Sequence, residues 1–305
     1  MYSIRARSQA GIALVMAMLF VVIATVTVVS LVHEQSFSVR KTANLQQYDA
    51  NLLYGVGLED YARLFLNKDA KDSKTDHLEE DWAIGIPALP IEGGFLSGSI
   101  QDAQGLINVN NLLTYPATQT QLVKLCQDLD VRPDFIPALI DWIDQNTQAE
   151  VSDGAEDDYY TALEIPYRTA NRLMADISEL KLIKGVDNDM YIKLKPFLTA
   201  LPEHTALNLN TMPAQIFETL GLGKTGQEFV DERDKDAFSN VDDFATRMQI
   251  VLDEDQKKYL SVSTSYFLAT GVVTRYEKSI TLNSLIYRDS DGRSKTLTRS
   301  LGSFL

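Results

Sequence analysis

Cysteine is almost missing from this chain. Cys126 stands alone, so no internal disulfide and no paired-cysteine metal site can stabilise the fold. Histidine is nearly as scarce: His33, His77 and His204 lie 44 and 127 residues apart, a spacing that disfavours a histidine zinc site and the usual histidine-based triads. Positive charge is in deficit, with 28 Lys and Arg against 42 Asp and Glu and a formal charge of −14. That is the wrong sign for a protein that works by neutralising phosphates, and no nucleic-acid partner is expected. What remains is a globular composition, 45% hydrophobic and 23% charged over 305 residues, enough for one large domain or two ordinary ones.

Charge is also absent over 21 consecutive residues, Ile12 to Val32, long enough to cross a bilayer as a helix. Arg5 and Arg7 precede this run, and the positive-inside rule then puts the first residues in the cytoplasm and everything after His33 outside it. A cleaved secretory signal would need a shorter apolar core ending in a small-residue site, and Ile23-Ala24-Thr25-Val26-Thr27-Val28-Val29-Ser30 offers none. The junction Gln9-Ala10-Gly11 followed by Ile12-Ala13-Leu14-Val15-Met16 resembles the leader of type IV pilin-like proteins. That resemblance implies cleavage between Gly11 and Ile12 and N-methylation of Ile12. It also implies a Glu at the fifth mature position, where this chain has Met16. In such proteins the carboxylate is thought to pair with the amine of the previously added subunit, so a chain without it needs no predecessor.

No proline interrupts Ser36 to Leu66, and Leu45, Leu52, Leu53, Val56, Tyr61, Leu64 and Phe65 recur at helical spacing. One helix of about 50 residues is expected, beginning in lipid. The charge-dense stretch Lys68 to Asp81 reads as a surface loop. Gly93 to Gly105 reads as a hairpin of two short segments leading to Leu106-Ile107-Asn108-Val109-Asn110. Near the other end, Tyr266 to Val273, Ser279 to Arg288 and Leu297 to Leu301 read as strands, with Asp289-Ser290-Asp291-Gly292 as a turn. Strands at both ends and helices between predict one sheet interrupted by an inserted helical domain at about 112–260.

Within that middle, Ile107-Asn108-Val109-Asn110 and Leu207-Asn208-Leu209-Asn210 form a near-repeat 100 residues apart, each leading into a helical pattern over Gln119 to Leu129 and Ala214 to Leu220. Alternating Asn on a short extended segment can bond neighbouring backbone and cap the next helix. Ser178 to Val186 and Leu220 to Phe244 resemble helix-hairpin-helix units, but acidic residues such as Asp187, Asp189, Glu228, Asp231 and Glu232 flank their glycines, which opposes phosphate binding.

The densest chemical signal lies between Arg132 and Arg168, where nine carboxylates occur with no Lys or Arg. Calcium would relieve that crowding, because it accepts six to eight oxygens in flexible geometry from a Gly-containing loop. The expected ligands are Asp144, Asp153, Glu156 and Asp157. An EF-hand is excluded, since placing Gly154 at the invariant glycine puts Ala149 and Val151 at ligand positions. A merely solvated acidic loop is the plain alternative. A carboxylate-pair hydrolase is disfavoured because the acids crowd one loop.

These motifs in order, the leader, Asp141-Trp142-Ile143-Asp144, Gly154-Ala155-Glu156-Asp157 with Tyr160, Pro166-Tyr167-Arg168 with Ala170-Asn171, Glu179-Leu180, Lys195-Pro196 and Leu207-Asn208-Leu209-Asn210-Thr211, resemble the minor pseudopilin K family of the bacterial type II (general) secretion pathway. Met16 fits that family, and Met212-Pro213, where it tends to show Ala, departs from it mildly. The resemblance implies an α+β, pilin-like fold: a long N-terminal helix on a small antiparallel sheet with a large all-helical insertion. The expected divisions are a cleaved leader at 1–11, a membrane-spanning part at 12–32, pilin-like segments at 33–111 and 261–305, and the insertion at 112–260. It implies no enzymatic activity but a subunit at the tip of a short pseudopilus. Minor pseudopilins I and J, the prepilin peptidase and the inner membrane are its expected partners, calcium its cofactor, and the bulk of the chain is periplasmic. The competing expectation is a membrane-anchored, pilin-like adaptor for DNA uptake.

Overall fold

The computed structural model describes residues 10–149 and 153–302, so leader residues 1–9 and Glu150, Val151 and Ser152 of the acidic loop lie outside the described residues. The chain divides into two compact units, Met1–Leu53 and Tyr54–Leu305. In the first, the described residues are all helical: they begin α1, Ala10–Asp72, which runs 63 residues, longer than the sequence pattern suggested. Its N-terminal part is long and apolar enough to cross a membrane.

In the second unit a five-stranded antiparallel sheet is ordered β1-β2-β7-β8-β9. Strands β1 (Ile86–Ile91) and β2 (Gly94–Asp102) form a hairpin across Gly93. Gly94 to Asp102 is thus one strand rather than two arms of a hairpin, and its partner lies upstream. Pro87 and Pro90 concealed that partner, since proline is admitted to sheets chiefly at edges, and β1 is the edge. The next neighbour of β2 in the sheet is far along the chain: β7 (Tyr266–Arg275) follows the whole helical middle, and β8 (Lys278–Arg288) and β9 (Ser294–Leu301) complete the order.

The helical middle begins with the two-residue strand β3 (Ile107–Asn108) and runs through α2 (Pro116–Asp128), α3 (Ile136–Ile143), α4 (Asp157–Tyr160) and α5 (Asn188–Leu194) to β4 (Leu198–Thr199), which pairs in parallel with β3. It then repeats the scheme. Strand β5 (Leu207–Asn208), helices α6 (Ala214–Thr219), α7 (Gly226–Arg233), α8 (Val241–Met248) and α9 (Glu254–Tyr259), and β6 (Leu260–Ser261) end in a second parallel pair, β5 with β6. One continuous apolar core extends from Ile107 to Leu260. Within it Phe217, Phe229, Phe238 and Phe244 pack ring against ring, the first two stacked at 4.3 Å.

The part of α1 in this unit buries Leu58, Ala62 and Leu66 with Trp82, Phe267, Ala269 and Ile286. The helix lies close because Gly271 faces it: a Cβ there would stand 3.1 Å from Leu58 Cδ1. The sequence pattern had chosen a different stripe, and Tyr61 and Leu64 are exposed at 45% and 66%. The buried stripe is less apolar by composition because it includes Glu59, 3% exposed. Its carboxylate accepts from Arg299 Nε at 2.7 Å and Nη2 at 2.8 Å, and from Ser284 and Thr296 hydroxyls at 2.6 Å each. Burial pushes the group up, but these four donors outweigh it and hold it at about 2, against an ordinary 4.5. A depressed carboxylate pKa contributes stability that is present above 4.5 and lost as pH falls toward about 2. Glu59→Gln should therefore cost about 1–3 kcal/mol at neutral pH. Its acid-melting profile should flatten between pH 4.5 and 2; parallel profiles for variant and parent would contradict this.

Candidate metal centre in the acidic loop

Two Asn pairs brace the two halves of the helical middle, the first of which carries the acidic loop. Asn110 makes a reciprocal contact with Met174: its Oδ1 accepts from Met174 N at 2.8 Å and its Nδ2 donates to Met174 O at 2.9 Å and to Leu201 O at 2.7 Å. Asn210 repeats this with Phe238, at 2.8 Å and 3.0 Å. Asn108 and Asn208 each accept from the backbone N–H two residues on, at 3.2 Å and 3.0 Å. The near-repeat in sequence is thus a repeat in structure. Its outer Asn of each pair grips backbone 64 and 28 residues away rather than capping the next helix.

The loop departs from α3, whose last turn carries Asp141 and Trp142, with Asp144 just beyond. Aromatic packing positions it: Trp142 stands T-shaped on Tyr160 at 5.4 Å, Tyr160 lies on Tyr167 at 5.2 Å, and Trp142 Nε1 donates to Glu179 Oε2 at 3.0 Å. Lys184 Nζ donates to the carbonyls of Asp153 and Gly154 at 3.3 Å and 3.1 Å, and Ala155 N donates to Asp141 Oδ2 at 2.8 Å. The loop is therefore folded back over α3.

Of the four residues expected to bind a cation, Asp144 and Glu156 are buried and Asp157 is half-buried, whereas Asp153 is exposed. Thr169 joins two of them, its hydroxyl 3.0 Å from Glu156 Oε2 and 2.8 Å from Asp157 Oδ1. Burial raises the Glu156 pKa, and the charges of Asp141, Asp144 and Asp157 add to the rise. Those four carboxylates are thus electrostatic neighbours. Asp141, 1% exposed, belongs to the group although sequence reasoning had not selected it; its motif Asp-Trp-Ile-Asp was visible, but not the turn that brings Ala155 back to it. Glu156 Oε1 is buried without a hydrogen-bond partner, and so is Asn171 Oδ1, two residues after Thr169. A buried anionic oxygen that accepts no hydrogen bond fits a site meant for a hard cation. The four carboxylates offer only oxygen donors, the kind calcium takes, but no three of them bring an oxygen each within 4.8 Å of the others among the described residues, and Asp144 accepts from Asn146 N at 3.0 Å and Nδ2 at 2.8 Å.

Helix α1 on an antiparallel sheet, an apolar N-terminal stretch and an oxygen-lined loop in a helical insertion define a pilin-like subunit with an enlarged head. Two family models described as "Type II secretion system (T2SS), protein K" match residues 105–203 and 207–263, one on each half of the Asn repeat. The chain belongs to the type II secretion system protein K family, the minor pseudopilin K of that system. It is 30% identical to type II secretion system protein K of Pseudomonas aeruginosa, covering 97% of this chain and 94% of the relative. It is 27% identical to that of Aeromonas hydrophila, over 97% and 98%. Its fold is similar to a chain in the crystal structure of the GspK-GspI-GspJ complex from the enterotoxigenic Escherichia coli type 2 secretion system, with a TM-score of 0.79, 30% identity, and coverage of 86% of this chain and 99% of that one.

Proposed function

We infer that this minor pseudopilin caps the tip of a periplasmic pseudopilus, assembling with minor pseudopilins I and J to begin it and so to support export of folded proteins. The observation that carries the reading is the fold similarity to a chain solved within a GspK-GspI-GspJ complex. Two features support it. The helical residues between β2 and β7 add a body of structure that the sheet alone would lack, as a capping subunit would need. The exposed Tyr61 and Leu64 on α1 supply apolar helix surface for neighbouring subunits. Co-purification of the tagged chain with minor pseudopilins I and J tests the partnership, and gold labelling of assembled pseudopili tests the position. Label along the shaft would refute tip placement.

The anchor is read as single-pass in the inner membrane, with the leader cytoplasmic and the head periplasmic. Processing by the prepilin peptidase would cut between Gly11 and Ile12, so the mature chain should begin with methylated Ile12 in mass spectra, and Gly11→Val should retain the leader. A mature start beyond Ser30 would sink the pilin-type anchor. The division into pilin-like segments at 33–111 and 261–305 around an insertion at 112–260 is part of the same reading. Asp144, Glu156 and Asp157, with Asp141, would hold calcium, while Asp153 faces solvent. Bound there, the ion would neutralise the loop and fasten it between α3 and Thr169. This chain's own residues act structurally.

A further inference from the structure

The stretch after α1 that had read as a surface loop is instead drawn into the sheet end of the fold. Asp76 is 1% exposed, its N–H donates to Val262 O at 2.9 Å, and its Oδ2 accepts from Thr264 N at 2.8 Å. Asp69, in the last turn of α1, and Asp76 both engage Arg288 at the end of β8: Asp69 Oδ2 accepts from Nη1 at 2.8 Å, and Asp76 Oδ1 makes a short bond with Nη2. Arg288 is otherwise occupied, donating to Thr264 O at 3.1 Å and lying 4.7 Å from the Phe267 ring centroid.

Glu80 joins this group. Its side chain is 9% exposed, and its Oε2 accepts from Trp82 Nε1 at 2.7 Å and His77 N at 3.1 Å. Its Oε1 is buried and accepts no hydrogen bond. One oxygen from each of Asp69, Asp76 and Glu80 lies within 4.8 Å of the others, and among the described residues this is the one such acidic trio. Calcium–oxygen bonds of about 2.3–2.6 Å place ligand oxygens on opposite sides of the ion at most about 4.6–5.2 Å apart, so the trio has the span of a cation shell. The three carboxylates share one guanidinium, which pairs with Asp69 and Asp76 and leaves Glu80 without a share of it. Burial, with the charge of Glu80, raises Asp69 to about 6 and, with Arg288 opposing it, also raises Asp76. The His77 imidazole, Nε2 3.5 Å from Glu80 Oε1, can offset one charge only when protonated.

We propose that Asp69, Asp76 and Glu80 form a second site for a hard, oxygen-seeking divalent cation of the calcium type, fastening the end of α1 and the 73–85 segment to β8 through Arg288. The site is separate from the acidic loop and does not rest on that loop binding calcium. The two tryptophans of the chain allow the sites to be told apart, because Trp82 is hydrogen-bonded to Glu80 while Trp142 adjoins the acidic loop.

Terbium, a luminescent stand-in for calcium, is titrated into the full chain in detergent with excitation of tryptophan. In a Trp142→Phe background the emission sensitised by Trp82 should appear, be displaced by calcium chloride, and persist in Glu156→Gln. Glu80→Gln, which keeps acceptors for Trp82 and His77, should abolish it, and Asp69→Asn should do the same, with circular dichroism confirming that each variant is folded. Emission at the level of buffer in Trp142→Phe, the result if a proton on His77 alone relieves the cluster, would overturn the proposal, as would emission that survives both carboxylate substitutions. Should either variant fail to fold, the titration of Trp142→Phe still decides.

Discussion

Adding calcium to the chelator-treated chain should raise its melting temperature, by about 5–10 °C when free calcium is roughly a hundred times the dissociation constant. A ligand that binds only the folded state at that excess stabilises it by about 2.7 kcal/mol. In a protein of this size each kcal/mol moves the midpoint by about 2–4 °C. The origin of the response would be Glu156, whose buried Oε1 accepts no hydrogen bond and whose pKa is raised first by burial and then by Asp141, Asp144 and Asp157. Without the ion, a carboxyl with a raised pKa binds its proton more tightly when folded. Its contribution to stability is then present at low pH and is lost as pH rises from 4.5 through the raised value. Proton and calcium compete for the same oxygens, so calcium affinity should weaken on acidification through that window. Glu156→Gln should remove most of the loop's share of the response; any remainder that instead follows Glu80→Gln belongs to the trio at the end of α1. Magnesium should substitute poorly, since it demands a tight octahedron and keeps its water. A melting curve indifferent to calcium and chelator, in a chain whose Glu156→Gln variant is as stable as the parent, would reduce the acidic loop to a solvated surface feature.

A large single-residue loss of stability should come from Asn110→Ala. That change leaves three buried backbone groups without partners, Met174 N–H, Met174 C=O and Leu201 C=O. At about 1–3 kcal/mol for each buried group left unsatisfied, and with partial relaxation, the cost should be about 3–5 kcal/mol. Asn210→Ala orphans only the two groups of Phe238 and should cost less. Urea unfolding of both variants measures the order directly. If Asn110→Ala cost under about 1 kcal/mol, the groups would have found other partners, and the Asn repeat would have no structural force.

The elements that sequence exposed most clearly were those with a single strong period: α1, free of proline from its apolar start, and β7 and β8, whose alternation and terminal turn are local properties. Strand β1 was hidden by Pro87 and Pro90, because the rule that proline avoids strands fails at a sheet edge, and edge position is settled only by tertiary pairing. The buried stripe of α1 was misassigned for a related reason. Glu59 lowers the apparent hydrophobicity of the face that packs, and only the sheet supplies the Arg299, Ser284 and Thr296 that make it tolerable there. In the acidic loop the composition announced an anionic cluster, but which carboxylates turn inward depended on Lys184 and Thr169, 31 and 12 residues from the groups they hold. Asp76 looked like a solvated charge because its partner, Arg288, arrives 212 residues later.

The pairing of β2 with β7 leaves residues 103–265 between adjacent strands, and this orders events during folding. Three of the five strands follow the helical middle, so the sheet cannot close until that middle has been made. Closing so long a loop from a random chain would be slow, since non-local contacts reward the chain only after its entropy of closure has been met. A helical middle that folds first removes that delay. Gln104 at its entrance accepts from Ser265 N at its exit at 2.7 Å and donates to Ala206 O at 2.9 Å, so the completed middle delivers the two ends side by side. An incompletely folded head would hold β2 without β7, an open edge suited to recognition by chaperones and proteases. Only a subunit whose head is already correct would then present a finished sheet for assembly.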